Sequence, residues 1–181
     1  MPYLIPGDEL SIEQKQALRM NVDRTLQDRA TTVKSIGRSN ELVVRDIVPN
    51  LDINVAPLNT SQWITGALVA GVVPINYVNA PLANNKILAF YGIADLEANP
   101  VVDVVFFRVG ATGGSTRGIA HLAQMFSKMT TDGYLDMAIV YDPQEVMFIQ
   151  VVANAIAATE RLILLGRVIE PVGATISGPA I

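Results

Sequence analysis

The sequence predicts a mainly β protein, a jelly-roll-like antiparallel β-sandwich with an N-terminal helix and arm. Three observations lead to this fold class. Apolar runs of seven to nine residues recur from residue 42 onward. Clusters of Gly, Pro and Asn separate these runs, as turns separate the short strands of sandwiches. A single stretch with helical periodicity precedes them, close to the N-terminus.

The helix is predicted from its start signal and its apolar stripe. Ser11 and Gln14 form a capping box, which satisfies free backbone N–H groups at a helix N-terminus. Thr31-Thr32 favours extended backbone, so we expect the helix to end near Ala30. Charged pairs spaced i,i+4, Arg19–Asp23 and Arg24–Asp28, lie off the stripe. One narrow apolar stripe recurs every three to four residues: Leu18, Val22, Leu26, Ala30 and Val33.

Nine strands are predicted after the helix. Each is rich in β-branched or aromatic residues and is bounded by turn-forming residues. The predicted strands are Leu42–Val48, Gln62–Leu68, Val72–Val78, Lys86–Gly92, Val101–Val109, Gly118–Phe126, Leu135–Tyr141, Val146–Ala153 and Glu160–Val168.

Charge divides the chain into two regions. Residues 1–50 hold seven basic and seven acidic residues, whereas residues 51–181 hold six basic and ten acidic ones. The net charge of −4 therefore comes from the second region. We interpret residues 1–50 as a helix and extended arm, and residues 51–181 as the sandwich body.

Composition points to an assembly subunit rather than an enzyme. Hydrophobic residues make up 50% of the chain and charged residues 17%, too few charges to coat a lone domain. We therefore expect a homo-oligomer, a dimer or a trimer. The chain has no Cys and one His, so no catalytic residue, cofactor or metal site is predicted.

The same composition bears on partners and location. A net charge of −4 argues against direct nucleic-acid binding. The longest uncharged stretch, 53–85, is broken by prolines, so no membrane span is expected. Residues 1–9 lack the basic and apolar regions of a secretory signal, and we expect synthesis in a cytoplasm.

One loop predicts a competing function. The stretch Arg108–Gly118 is similar to the Gly-Ala-Thr-Gly-x-x-Gly loop of short-chain-dehydrogenase-like proteins, which binds a dinucleotide between a strand and a helix. However, Thr116 occupies the third glycine position, and only 39 residues follow Asp142, too few for the remaining units of that fold. A loop between two sandwich strands is the favoured interpretation. A small nucleotide-binding α/β enzyme that uses Gly110–Gly118 remains the alternative.

Other candidate residues have structural interpretations. His121, on an apolar segment, is expected to be structural. Asp95 and Glu97 form the tightest acidic pair of the body and are expected to lie in a solvated turn. Trp63 fits either the core or an interface.

Taken together, the chain resembles structural proteins of tailed-phage virions, particularly jelly-roll cement or decoration proteins of capsids. The resemblance lies in the apolar tail Tyr3–Pro6, the charged segment Asn21–Gln27, the turn Asp142–Glu145, the last strand Glu160–Pro171 and a Cys-free aliphatic body. It implies a dimeric or trimeric subunit on the capsid surface that stabilises contacts between major capsid proteins. It implies no catalytic residues. A tail or baseplate subunit shares the same composition.

The expected contacts follow from this resemblance and from the apolar patterns. Runs 101–107 and 146–152 are more uniformly apolar than strands with one wet face, and we expect another subunit to cover their outer face. The N-terminal region is expected to clip onto a neighbouring chain, through Leu4, Ile5, Leu18, Arg19, Val22, Arg24, Leu26 and Arg29.

Overall fold

Two antiparallel sheets form the protein in a computed structural model, which describes residues 2–33, 36–37, 41–53, 62–71, 73–112 and 114–174. The five-stranded sheet has the order β1-β7-β4-β9-β2, and the four-stranded sheet has the order β3-β8-β5-β6. The strands are β1 (Leu4–Pro6), β2 (Leu42–Asp46), β3 (Ile75–Pro81), β4 (Ile87–Asp95), β5 (Val102–Val109), β6 (Ser115–His121), β7 (Asp132–Tyr141), β8 (Val146–Ala153) and β9 (Leu162–Pro171).

The pairing of the strands identifies the topology. β2 pairs with β9, β3 with β8, β4 with β7, and β5 with β6, all antiparallel. Strands from the two ends of the series thus pair inward, as in a long hairpin that has been rolled up. Within the five-stranded sheet β4 also pairs with β9, and within the four-stranded sheet β5 also pairs with β8. This is the jelly roll of two Greek keys, and the predicted fold class is confirmed.

The core between the sheets comes from the alternating inward residues of both. Phe90 and Phe107 lie 5.6 Å apart between ring centroids, and Tyr141 meets Phe90 edge-on at 6.0 Å. These three rings are fully buried, with aliphatic residues around them. Aromatic pairs at such distances add to the stability that their buried area provides.

Two α-helices accompany the sheets in the described part of the chain. α1 (Ile12–Thr32) begins at the predicted cap, where both reciprocal hydrogen bonds of the capping box between Ser11 and Gln14 are present. It ends two residues beyond the predicted Ala30. α2 (Ala123–Ser127) is a short helix after β6.

Several predicted strands need correction. Gln62–Leu68 forms no strand in its described part; only Leu68 makes an isolated bridge, to Ala157. The run Gly118–Phe126 divides between the end of β6 and α2. β1 was not predicted, because three residues are too short for a periodicity. The other seven predicted strands are present, with shifted ends in six of them.

The region assigned as a helix and arm is joined closely to the sandwich. β1 and β2 form the two edges of the five-stranded sheet, and α1 packs on its outer face. Residues 1–50 therefore supply part of the sheet and the cover of one of its faces.

Candidate interaction surface

The outer face of the five-stranded sheet is covered by α1. Val22, Leu26 and Ala30 are buried, with 4%, 0% and 3% of their surface exposed. They pack on Ile87 and Ala89 of β4 and on Ile169 of β9. At about 25 cal/mol per Å² of apolar area, burying this stripe contributes several kcal/mol to folding. The apolar stripe of α1 is therefore buried against its own chain.

Ion pairs fix α1 on the sheet. Arg167 of β9 pairs with Asp23 and with Asp46, both at 2.7 Å. Arg19 also binds Asp46, at 3.0 Å. Arg29 pairs with Asp142, and this contact lowers the pKa of the Asp142 carboxyl. Arg19 and Asp23 therefore take partners on the sheet, in place of the predicted pairing along the helix.

These placements correct part of the predicted interface. Leu4, Val22 and Leu26 are buried inside the chain, so they are not available to a neighbouring subunit. Arg19 and Arg29 are engaged by acids of the same chain. The physical reason is that the apolar stripe finds a complementary sheet face nearby, which the sequence did not reveal. The remaining residues of the set are half-buried or exposed: Ile5, Leu18 and Arg24.

The outer face of the four-stranded sheet is different, since neither described helix packs on it. The inward residues of β5 and β8 are fully buried, whereas Val104, Phe106 and Val152 face outward and are half-buried. Ile119 of β6 lies opposite Phe106 and faces the same way. We call this surface the open face. That another subunit covers the outer face of the apolar runs 101–107 and 146–152 stays a prediction.

Polar side chains form a row through the open face. Gln150 of β8 donates to Asn76 of β3 at 2.9 Å and accepts from Arg108 of β5 at 2.9 Å. The Arg108 guanidinium lies 4.9 Å from the centroid of the Phe106 ring. Its Nε–H is buried and has no hydrogen-bond acceptor in the described part of the chain. The row therefore ends in a cation held on an aromatic ring.

The end of the sandwich that carries the β2–β3, β4–β5, β6–β7 and β8–β9 connections exposes further apolar residues. Val69 and Ile156 are 62% and 79% exposed and lie on either side of the bridge between Leu68 and Ala157. Val73, before β3, is 75% exposed. Val69 and Ile156 thus form an exposed apolar pair beside one bridge, and such exposed apolar surface is a feature of interaction sites.

The glycine loop is the turn of a β-hairpin. β5 and β6 pair antiparallel on either side of it, so the strand–helix unit that a dinucleotide site needs is not formed. Gly110 has φ +104°, a backbone conformation that favours glycine, and a Cβ on Gly114 would lie 2.6 Å from the Val109 carbonyl oxygen. The turn explains these glycines. The alternative of nucleotide binding through Gly110–Gly118 is therefore wrong in its structural premise.

A buried carboxyl pair lies at the same end as Val69. Asp95 and Glu160 are each 1% exposed, which corrects the prediction that Asp95 lies in a solvated turn. Glu160 accepts hydrogen bonds from the N–H groups of Val101 (3.1 Å) and Val102 (3.2 Å). Burial, together with the Asp95 carboxyl, raises the pKa of Glu160 to about 8. Glu97, two residues from Asp95, is half-buried and pairs with Arg161 at 3.1 Å.

A second buried polar cluster joins β2, β4 and β9. Asp52 receives hydrogen bonds from Arg45 and from Lys86, both at 2.7 Å, and Arg45 also binds Glu170 at 2.7 Å. Burial opposes ionisation of Asp52, but these hydrogen bonds outweigh it and lower its pKa. Opposite charges are matched within the cluster, so its role is structural.

The remaining candidates are His121 and Trp63. His121 is exposed at the end of β6, opposite Val104 and at the edge of the open face. Trp63 is half-buried against the core. Among the described residues, no group of three or more His, Cys, Asp or Glu is arranged to hold a metal ion. Neither described helix has the length and apolar character needed to cross a bilayer.

Comparisons of the chain with models of protein families, with curated proteins and with solved structures find no match.

Proposed function

We propose that the protein is a non-enzymatic structural subunit of a virion, a capsid cement protein that self-associates and stabilises contacts between major capsid proteins. The observation that carries the proposal is the asymmetry of its jelly roll. One outer face is covered by the chain's own helix, whereas no described helix packs on the other, which presents half-buried Val104, Phe106 and Val152 beside the buried Gln150. Jelly rolls of two sheets are common in capsid proteins.

The use of charge supports the same proposal. Most of the described Lys and Arg side chains pair with carboxylates of the same chain. These pairs stabilise the subunit and leave few charges free to repel a neighbour. The exposed aliphatic residues Val69, Val73 and Ile156 supply a second surface, suited to contact with capsid proteins.

The test is to look for the protein in particles. Virions are purified by density gradient from a lysate that contains the chain, and their proteins are quantified by mass spectrometry. Shells that lack the protein are then mixed with purified protein and sedimented. The proposal expects the chain in heads at a fixed ratio to the major capsid protein, and saturable binding to the shells.

Other outcomes would contradict the proposal. Recovery of the chain in isolated tails or baseplates would replace the capsid role with the tail or baseplate role. Absence of the chain from all particles would refute a virion role altogether. Val69→Asp with Ile156→Asp is the variant for the shell experiment, because both side chains are exposed and their replacement leaves the core unchanged. Thr159→Asp, another exposed position of the same loop, is its matched control.

A further inference from the structure

The open face has a pattern of charge that matches its own rotated copy. Arg108 lies towards one end of the outward row of β5, and Asp103 lies at the other end, where a bulge displaces it. Val104 and Phe106 lie between them. A two-fold axis in the plane of the face and perpendicular to β5 exchanges the two ends of the row. It brings Arg108 of one copy over Asp103 of the other, twice in one dimer.

Both charged groups lack an oppositely charged partner among the residues that the structure describes. Of the eleven described Lys and Arg residues, nine pair with a carboxylate, and the other two are Arg24 and Arg108. Asp103 accepts a hydrogen bond from Asn154 at 2.8 Å, and no described cation pairs with it. Arg108 is held against Phe106, so its position is fixed before any partner arrives. A preorganised cation loses little freedom when it binds an acid.

From this arrangement we infer that the open face binds the open face of a second copy around a two-fold axis, with Arg108 of each copy facing Asp103 of the other. The inference rests on the proposed function, since it names the partner of the same surface. The apolar residues Val104, Phe106 and Val152 form the centre of the contact. The polar row of Asn76, Gln150 and Arg108 crosses the face beside them.

The area of the open face places the dimer in a size class of interfaces. Four strands spaced about 4.8 Å apart and six residues long cover roughly 400 Å² of plane on each copy. With the relief of the side chains, two copies bury about 1,000 Å², the lower limit for specific interfaces. Interfaces at this limit are typical of transient complexes, so we expect a weak dimer whose subunits separate on dilution.

Charge reversal tests the pairing directly. The mass of the full chain is measured by sedimentation between about 1 and 200 μM. Arg108→Asp or Asp103→Arg places like charges opposite each other, and each is expected to weaken the dimer at least tenfold. The variant that carries both changes restores opposite charges and is expected to dimerise within about threefold of the original chain.

Two controls keep the test decisive. Arg24→Asp reverses the other cation that has no carboxylate partner; it lies on the exposed side of α1 and is expected to leave the mass unchanged. If Arg108→Asp lowers the melting temperature, because Gln150 loses its donor, Asp103→Arg carries the test through the same pair.

The outcomes separate this inference from the proposed function. A monomer at 200 μM, a trimer, or a double variant that does not recover dimerisation overturns the two-fold contact. A chain that binds shells as a monomer refutes the dimer and leaves the cement role intact. A dimer that follows the charge-reversal pattern but is absent from particles refutes the virion role alone.

Discussion

Raising the pH is expected to destabilise the protein through the buried carboxyls of Asp95 and Glu160. Glu160 holds a proton at neutral pH, because two adjacent carboxylates removed from water cannot both ionise without a large cost. That proton provides a hydrogen bond for Oδ2 of Asp95, a buried atom that otherwise has no partner in the described part of the chain.

The sign and size of the effect follow from the two pKa values. The pKa of Glu160 is raised from its ordinary 4.5 to about 8 in the folded protein. Between these values the folded state binds more protons than the unfolded state, so stability falls as the pH rises. The stabilisation is complete below pH 4.5 and is lost as the pH passes 8. At 1.36 kcal/mol per pH unit, the free energy of unfolding drops by on the order of 5 kcal/mol.

The surroundings of the pair do not compensate for this loss. Tyr77 of β3 points its hydroxyl at the Leu162 carbonyl, and burial raises its pKa, so it stays neutral across this range. Arg161 is engaged by Glu97 at 3.1 Å. Asp132 of β7, opposite the residue before Asp95, pairs with Lys15 at 3.0 Å. Arg161 and Lys15 already have carboxylate partners, so neither neutralises the Glu160 carboxylate when it ionises.

The assay is urea unfolding at pH 5, 7 and 9, for the original chain and for Glu160→Gln. The glutamine amide mimics the protonated acid: it donates to Asp95 and still accepts from Val101 and Val102. Its free energy of unfolding is therefore expected to change little between pH 5 and 9. Glu97→Gln, a half-buried neighbour, is the matched control and keeps the original pH dependence. Equal pH dependence in the original chain and in Glu160→Gln would refute the shared proton.

Three further substitutions test how the chain is held together. Val22→Asp places a charge under α1 and is expected to unfold the protein, seen as loss of the far-UV signal; intact β structure with weakened assembly would return α1 to the role of an arm. Lys86→Met removes a cation from the buried cluster and leaves Asp52 dependent on Arg45, at an expected cost of about 3–5 kcal/mol in urea unfolding, whereas no loss would show that the cluster is dispensable. Gly166→Ala puts a Cβ 2.8 Å from the Ala89 carbonyl oxygen and is expected to cost about 1–3 kcal/mol and lower the melting temperature; an unchanged melting temperature would show that β4 and β9 can separate to admit a methyl group.

The fold class was predictable because it depends on local signals. Strand β8 has the predicted bounds, Val146–Ala153, and α1 begins at the predicted cap. The segment Gln62–Leu68 was predicted wrongly, because its apolar content reflects burial of Thr65 and Leu68 beneath the β8–β9 connection rather than a place in a sheet. The pattern of apolar residues in a sequence indicates which residues are buried. A buried loop of this kind therefore resembles a strand.

The candidate surface was predictable only in part. The uniform apolar character of β5 and β8 indicated an outward apolar face, but the sequence held no signal for which face α1 would cover. Asp95 shows the same limit. Its partner Glu160 is 65 residues away in the chain, so no local pattern revealed that the two carboxyls meet.

The small number of charges and the open face have one physical explanation. A charged residue that pairs across elements of its own chain, as Arg167 does with Asp23 and Asp46, holds α1 on the sheet but adds little to a repulsive coat. Nine of the eleven described Lys and Arg residues pair with a carboxylate of the same chain. The subunit is thereby fixed internally, while the charged residues that we place on its open face, among those the structure describes, are Arg108 and Asp103. In the dimer that we propose, low repulsion favours the close approach of two copies, and the pair of Arg108 with Asp103 selects their orientation.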